Sequence, residues 1–234
     1  TMSALIAGAG EATGLALARH FARNGLAVHG ARRRPAKDLP AIDGVTLSAV
    51  DFRDAAQVED FVADIEAKSG PVQIGVHNIG ANVRFPVADT SERVYRKTWE
   101  LAALSALHFA KALGPRMAER GEGTLIFTGA TASTRGAAGF SAFAGAMAAK
   151  RALAQSLARE LGPSGVHVVH VVIDGPIRTP FVRQVVGEAT FEALLAKDGL
   201  VDPAAIAETY WNLHMQPRTS WTHELDLRPF CEEF

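Results

Sequence analysis

The feature that most constrains the fold of this chain is a regular alternation of short apolar runs with amphipathic stretches. Runs such as 4–7, 72–76 and 166–173 are mostly apolar, which is typical of strands buried on both faces. The stretches between the runs repeat their apolar residues with a helical period. Strands of this kind, separated by helices, predict an α/β fold with a doubly wound parallel sheet flanked by helices.

The predicted elements follow one another without a repeat or a long linker, so a single domain is expected over residues 1–234. Strands are predicted at 4–7, 26–29, 45–50, 72–76, 124–127, 166–173 and 225–227. Helices are predicted at 15–22, 55–68, 99–117, 141–161 and 204–215. Because parallel strands end at the same edge of a sheet, a ligand crevice is expected there. The loops that would form it begin at Gly8, His29, Asp51, His77, Thr128 and Asp174.

Composition narrows the possible functions. Lys and Arg number 24 against 25 Asp and Glu, and nucleic-acid binders normally carry a basic excess. The single cysteine, Cys231, excludes an intrachain disulfide and a multi-cysteine zinc site, and no metal site is predicted. Even the longest apolar run is far shorter than the roughly 20 residues of a membrane span. We therefore expect a cytoplasmic protein with no nucleic-acid or membrane partner.

A glycine-rich segment lies between the first predicted strand and the first predicted helix. Glycines there let the chain turn sharply and let a pyrophosphate approach the N–H groups of the helix N-terminus. A tight turn without a ligand is the alternative interpretation. The position after the first strand of a βαβ unit favours a nucleotide site, whose candidate residues are Gly8, Gly10, Glu11, Ala12, Thr13 and Gly14.

Arginines follow the second predicted strand, where an acidic residue would bind an unphosphorylated ribose. Arg32 and Arg33 instead suit a ribose 2′-phosphate through planar, charge-assisted pairs. The alternative is a solvated basic turn, which is the preferred interpretation for Arg34. The arginines therefore favour NADP over NAD.

Two further strand ends carry candidate cofactor contacts. At Asp51 and Phe52, the carboxylate could accept from an adenine amino group and the next backbone N–H would face the ring. Asp51 could also serve as the N-cap of the following helix. Asn78 and Gly80 follow the fourth strand, where glycine allows the backbone to approach a ribose closely, although an ordinary turn would have the same residues.

Taken in order, these motifs resemble those of the short-chain dehydrogenase/reductase family over essentially the whole chain. The glycine turn has Ala12 where the family usually has its middle glycine. The segments 77–80, 157–161 and 174–179 resemble the family's N-N-A-G, L-A-x-E-L and P-G-x-x-x-T motifs. The resemblance implies a Rossmann-type fold and a nicotinamide dinucleotide. It places Gly175, Ile177 and Thr179 at the nicotinamide carboxamide, and residues 180–200 over the substrate.

The same register places unexpected residues at the family's catalytic positions. The Tyr-x-x-x-Lys pair falls on Phe143 and Met147, the substrate-polarising serine on Ala130, and the structural asparagine on Ala102. None of these side chains can transfer a proton. Phe143 and Met147 also fit simple core packing. The remaining candidate acid is Thr131, beside the serine position and acting through water.

Two functions therefore stay open. One is an oxidoreductase that acts on a small carbonyl or alcohol with NADP(H). The other is a catalytically silent dinucleotide-binding sensor, or a structural partner of an active relative. The resemblance also implies a homodimer or homotetramer that packs through the helices predicted at 99–117 and 141–161. The two tyrosines, Tyr95 and Tyr210, are expected at a surface or an interface.

Overall fold

The fold is built on one sheet of seven parallel strands in a computed structural model that describes residues 2–34 and 41–233. The strands stand in the order β3-β2-β1-β4-β5-β6-β7, so the chain reverses direction across the sheet between β1 and β4. This arrangement confirms the predicted doubly wound sheet. The strands are β1 (Ser3–Ala7), β2 (Ala27–Arg32), β3 (Val45–Ala49), β4 (Val72–His77), β5 (Gly123–Thr128), β6 (Val166–Ile173) and β7 (Glu224–Leu227).

Eight α-helices connect and cover these strands in the described part of the chain. They are α1 (Thr13–Arg23), α2 (Ala55–Ser69), α3 (Glu92–Trp99), α4 (Ser105–Arg120), α5 (Ser141–Leu161), α6 (Pro180–Val186), α7 (Glu188–Ala196) and α8 (Pro203–His214). A π-helical turn, Glu100–Leu104, joins α3 to α4. Within the described ranges, no helix has both the length and the hydropathy needed to cross a membrane.

The core lies on both faces of the sheet, as alternating side chains of a doubly covered strand require. In β1, Leu5 and Ala7 join the apolar cluster formed with α2, α4 and α5. Ala4 and Ile6 point the other way and join the cluster formed with α1 and α8. All the residues of β1, β4 and β6 are buried. The two clusters hold the sheet rigidly and fix the positions of the loops at its carboxyl edge.

Several element boundaries match the prediction, and others need correction. The bounds of α5 and β6 are those predicted. The strand β2 runs on to Arg32, so His29 lies inside it and Arg32 stands at the strand end itself. The predicted helix 99–117 is part of a longer, interrupted one. It begins earlier because the Ser91 side chain caps α3 by accepting from the Val94 N–H at 3.2 Å.

The segment 180–200 contains two helices that the sequence analysis did not predict. The Thr179 hydroxyl caps α6 by accepting from the Val182 N–H at 3.0 Å. Pro180 occupies the first turn, where its missing N–H costs no helical hydrogen bond. These helices place residues 180–182 at the edge of the crevice described next.

Candidate functional site

A long crevice runs along the carboxyl edge of the sheet. Its larger part is a cavity of about 810 Å³ between the β1–α1 turn and the ends of β4, β5 and β6. A second cavity of about 240 Å³ continues toward β2 and β3, and the two share lining residues just after β1, at the end of β2 and just after β4. Every residue predicted to contact a cofactor lines one of the two cavities. Those residues are Gly8, Gly10, Glu11, Ala12, Thr13, Gly14, Arg32, Arg33, Asp51, Phe52, Asn78, Gly80, Gly175, Ile177 and Thr179.

The glycine turn forms the floor of the crevice. Gly8 has a positive φ of 91°, and a Cβ there would lie 2.8 Å from the Asn78 backbone. A Cβ on Gly14 would lie 2.6 Å from Ala9 Cα, so both positions need glycine for the turn to close. A Cβ on Gly10, in contrast, would meet no atom within 4 Å. Gly10 therefore borders open space in which a ligand can approach the backbone.

The N-terminus of α1 opens onto the same space. Its N-cap residue, Ala12, has no side chain that could accept from the first turn, and no acidic residue stands in that turn. The first N–H groups of a helix have no partner within the helix and carry a partial positive charge. At the other side of the turn, the Asn78 side chain donates to the Gly8 carbonyl at 3.2 Å, which fixes β4 against β1. The geometry fits an anion such as a pyrophosphate.

The smaller cavity has a basic wall. Arg32 lines both cavities and Arg33 lines the smaller one. The carboxylate of Asp51 lies beside them and accepts from Arg53 Nε at 3.0 Å and from Arg53 Nη2 at 2.5 Å. These hydrogen bonds hold the pKa of Asp51 below its usual range.

The interpretation of Asp51 as a helix N-cap is wrong. Asp54 caps α2, with its carboxylate accepting from the backbone N–H groups of Ala56 and Gln57 at 3.1 and 3.2 Å. Since the Arg53 guanidinium occupies both oxygens of Asp51, an adenine amino group would have to share that carboxylate with Arg53. The neighbouring Phe52 is buried and packs on Phe109, so its backbone is the part available to a ligand.

The far end of the larger cavity has an apolar wall. Ala102, Phe143 and Met147 belong to one buried cluster, and Ala130 packs against it. Phe143, Met147 and Ala130 line the cavity, whereas Ala102 is fully buried. The structure thus brings together the four positions that the family register assigns to catalysis, and none of them carries an ionisable or hydroxyl group.

Thr131 lies next to this wall with its hydroxyl directed at a buried carboxylate. Its Oγ1 donates to Asp174 Oδ1 at 2.5 Å, and Asp174 is only 3 % exposed. The other oxygen of Asp174 is 2.9 Å from Arg228 Nη2. An ionised carboxylate only accepts, so the threonine proton is committed to it. Thr131 therefore offers lone pairs to the cavity, and its predicted role as an acid would require this bond to break.

A buried lysine, Lys150, lies beneath the cavity at a position outside the predicted site. Lys150 is 0 % exposed, and its Nζ donates to the carbonyls of Ile79 at 2.7 Å and Thr128 at 3.1 Å. Both carbonyls belong to residues that line the cavity. Burial lowers the pKa of Lys150 to about 7. Its spacing of three residues from Met147, on the same helix face, was the available signal.

The expectation for the tyrosines holds for one of them and is wrong for the other. Tyr210 is fully buried, and its hydroxyl is 2.8 Å from Thr128 Oγ1. Burial raises its pKa above the usual value. Tyr95 is 48 % exposed. Neither is among the described residues that line the two cavities, so neither replaces the missing phenol there.

A doubly wound sheet with a glycine turn and a crevice at its switch point defines the class of Rossmann-type α/β domains. Comparison with known proteins narrows the class. A family model described as enoyl-(acyl carrier protein) reductase matches residues 8–220. A short-chain dehydrogenase structure from Rhodopseudomonas palustris is 34% identical with a TM-score of 0.82, covering 98% of this chain and 99% of that one. The chain belongs to the short-chain dehydrogenase/reductase family, a family of oxidoreductases.

Two further relatives have a lower sequence identity to this chain and are longer than it. A fatty acyl-CoA reductase from Mycobacterium tuberculosis is 30% identical over 173 residues, which is 70% of this chain and 59% of that protein. The chain thus spans less than two thirds of that relative's length. A 1-deoxy-11-beta-hydroxypentalenate dehydrogenase from Streptomyces exfoliatus is 31% identical over 193 residues, 78% of this chain and 70% of that one. The fold is shared with the closed form of serine dehydrogenase complexed with NADP+, at 22% identity and a TM-score of 0.85, covering 100% and 97% of the two chains.

Proposed function

We propose that this chain binds NADP(H) along the crevice and lacks the family's usual means of proton transfer. The observation that carries the proposal is the continuity of the crevice. It runs from two arginines at the end of β2, Arg32 and Arg33, past an uncapped helix N-terminus, to the loop after β6. Several structures of this fold, including that of serine dehydrogenase, hold NADP+ or NADP.

Each part of the dinucleotide has residues suited to hold it. Arg32 and Arg33 would bind the 2′-phosphate through charge-assisted hydrogen bonds. The N–H groups at the start of α1 would hold the pyrophosphate, with Gly10 leaving room for it. The ends of β4 and β6 would contact the nicotinamide half. When bound, the nicotinamide supplies a hydride donor or acceptor.

The protein's own contribution to chemistry is small in this arrangement. At the positions that the family uses for proton transfer, a carbonyl or alcohol would meet only Phe143, Met147 and Ala130, none of which has an ionisable or hydroxyl group. General acid–base help is typically worth about 10²–10⁴-fold in rate. We therefore favour a dinucleotide-binding protein of low turnover, serving as a sensor or as a structural partner of an active relative.

Calorimetry with a matched pair of glycine variants tests the proposed binding. Wild type should bind NADPH more tightly than NADH. Gly10→Ala adds a methyl group to the open floor of the crevice and should weaken NADPH binding by about tenfold or more, equivalent to about 1.4 kcal/mol. Gly162→Ala is the control, because a Cβ there also meets nothing within 4 Å but lies outside both cavities. Absence of NADPH binding to the wild type, or equal binding to all three proteins, would refute the proposal.

An oxidoreductase with a replacement proton carrier is the second candidate function. The observation in its favour is the Thr131 hydroxyl at the cavity wall, beside the position of the family's serine, which could pass a proton once its hydrogen bond to Asp174 opens. Thr131→Val keeps the shape of the side chain and removes the hydroxyl. If wild type turns over a carbonyl or alcohol with NADP(H), this variant should lose most of the rate while NADPH affinity is unchanged. A rate that survives the change would exclude Thr131 as the carrier.

A further inference from the structure

The end of the crevice that would face the substrate combines an apolar wall with one cation. Phe140, Phe143 and Met147 form one side, and Phe181 and Val182 of α6 form the other. Arg135 also lines this end. Among the described residues that line the larger cavity, the other charged ones are Glu11 and Arg32, which lie on the glycine turn and on β2. The charge of Arg135 is therefore the one presented to a ligand on the apolar wall.

The guanidinium of Arg135 keeps its hydrogen-bonding capacity. Its side chain is 48 % exposed, and its contact is Asp174, with Nη2 3.8 Å from Oδ1. That distance is too long for a hydrogen bond. The same Oδ1 accepts from Thr131, and Oδ2 is paired with Arg228 at 2.9 Å. Because Asp174 already has these two closer partners, Arg135 retains donors that can reach into the cavity.

The surrounding charges also favour an anion at this position. The Arg84 guanidinium lies 5.6 Å from the centre of the Phe140 ring, adding a second positive charge beside the apolar wall. The carboxylates of Glu188 and Glu192 on α7 share a single cation, Arg183, so this cluster keeps one negative charge, but none of the three residues lines the cavity. A carboxylate matches the planar donor fork of arginine, because its two oxygens can accept two parallel hydrogen bonds.

From this geometry we infer that the site takes a small carboxylate with an apolar body, held by Arg135 at the charged end and by the aromatic wall at the other. The inference rests on the proposed function, because it assigns the class of ligand that would lie beside the nicotinamide in the same crevice. It needs no covalent step, since it concerns binding and orientation alone. Arg135 is in this view a specificity-determining residue, whether the bound carboxylate is converted or merely sensed.

The test uses two probes of nearly equal shape, 4-phenylbutanoate and the neutral 4-phenylbutanamide. Each is titrated calorimetrically into the free protein and into protein saturated with NADP+. Wild type should bind the carboxylate, and Arg135→Gln should bind it about tenfold or more weakly, the loss expected for one charge-assisted pair. The amide should bind both proteins equally. Arg159→Gln, which removes an exposed arginine near the end of α5, should behave as wild type.

The outcomes separate this inference from the proposed function. Equal binding of the carboxylate by wild type and Arg135→Gln would overturn the inference, and so would absence of carboxylate binding to wild type in both states. A matching loss of amide binding in Arg135→Gln would also overturn it, because the arginine would then act through packing. Failure to bind NADP+ contradicts the proposed function alone, since carboxylate binding to the free protein is measured separately. Circular dichroism checks that each variant is folded.

Discussion

Replacing Lys150 by methionine should remove a pH dependence from the stability of the folded chain. The lysine is fully buried on α5, where its ammonium group donates to two backbone carbonyls at the ends of β4 and β5. Burial penalises the charged form and lowers its pKa from 10.5 to about 7. Methionine has a similar length, fills the same space and carries no titratable group.

The sign of the effect follows from proton counts. Between about pH 7 and pH 10.5 the unfolded chain keeps the lysine proton and the folded chain does not. Stability therefore rises with pH through this window, and the full cost of burying the charge is present below it. Within this window, each unit of pH raises the free energy of unfolding by about 1.4 kcal/mol at most. From about pH 7.5 to 9.5 the wild type should gain about 2 kcal/mol relative to Lys150→Met.

Urea denaturation of both proteins at a series of pH values measures this difference. At the alkaline end the variant should be the less stable protein, because the carbonyls of Ile79 and Thr128 lose their donor. Near neutral pH the difference in free energy of unfolding between the two proteins should shrink or change sign. Lys111→Met, at an exposed position on α4, should follow the wild-type curve. Parallel curves for wild type and Lys150→Met would refute the reasoning, since groups common to both proteins cancel in the comparison.

Three further predictions concern the crevice and the assembly. Phe143→Tyr combined with Met147→Lys should raise the rate of carbonyl reduction with NADPH by about 10²–10⁴-fold, and neither single change should suffice. An unchanged rate would contradict the alignment of these two positions with the family's Tyr-x-x-x-Lys pair. Replacing both Arg32 and Arg33 by alanine should weaken NADPH binding by calorimetry far more than NADH binding, and an equal loss for both would exclude their role at the 2′-phosphate. Light scattering at micromolar concentration should give the mass of a dimer or tetramer, packed through α4 and α5, and a monomeric mass would exclude it.

The sequence was sufficient to predict the parts of the fold that depend on periodicity. The mostly apolar, valine-rich run 166–173 is typical of a strand covered on both faces, and the small-residue pattern of 141–161 ends at a Gly-Pro pair. Both elements therefore have the bounds predicted for them. The crevice was predictable for a related reason. The glycine turn and the strand ends that line it are fixed by the order of the strands in the sheet.

The partners of individual side chains were harder to predict, both within a loop and between distant parts of the chain. Asp51 was open to two roles, and only the structure shows that Arg53 occupies its carboxylate and that Asp54 is the cap. Tyr210 was expected at a surface or an interface. Its position in the sequence of α8 does not show that its hydroxyl forms a hydrogen bond with Thr128 at the end of β5. The short helices α6 and α7 have too few residues for a periodic signal, although Thr179 followed by proline was a usable N-terminal signal.

A crystal structure of the protein grown with NADP+ would test the central claim most directly. The account predicts density for the dinucleotide along the carboxyl edge of the sheet, with its 2′-phosphate at Arg32 and Arg33 and its pyrophosphate at Gly10. The nicotinamide ring should face Phe143 and Met147, with no side chain placed to donate a proton. A dinucleotide bound elsewhere, an empty crevice at saturating NADP+, or a tyrosine, histidine, lysine, cysteine or acidic side chain in contact with the space beside the ring would contradict it.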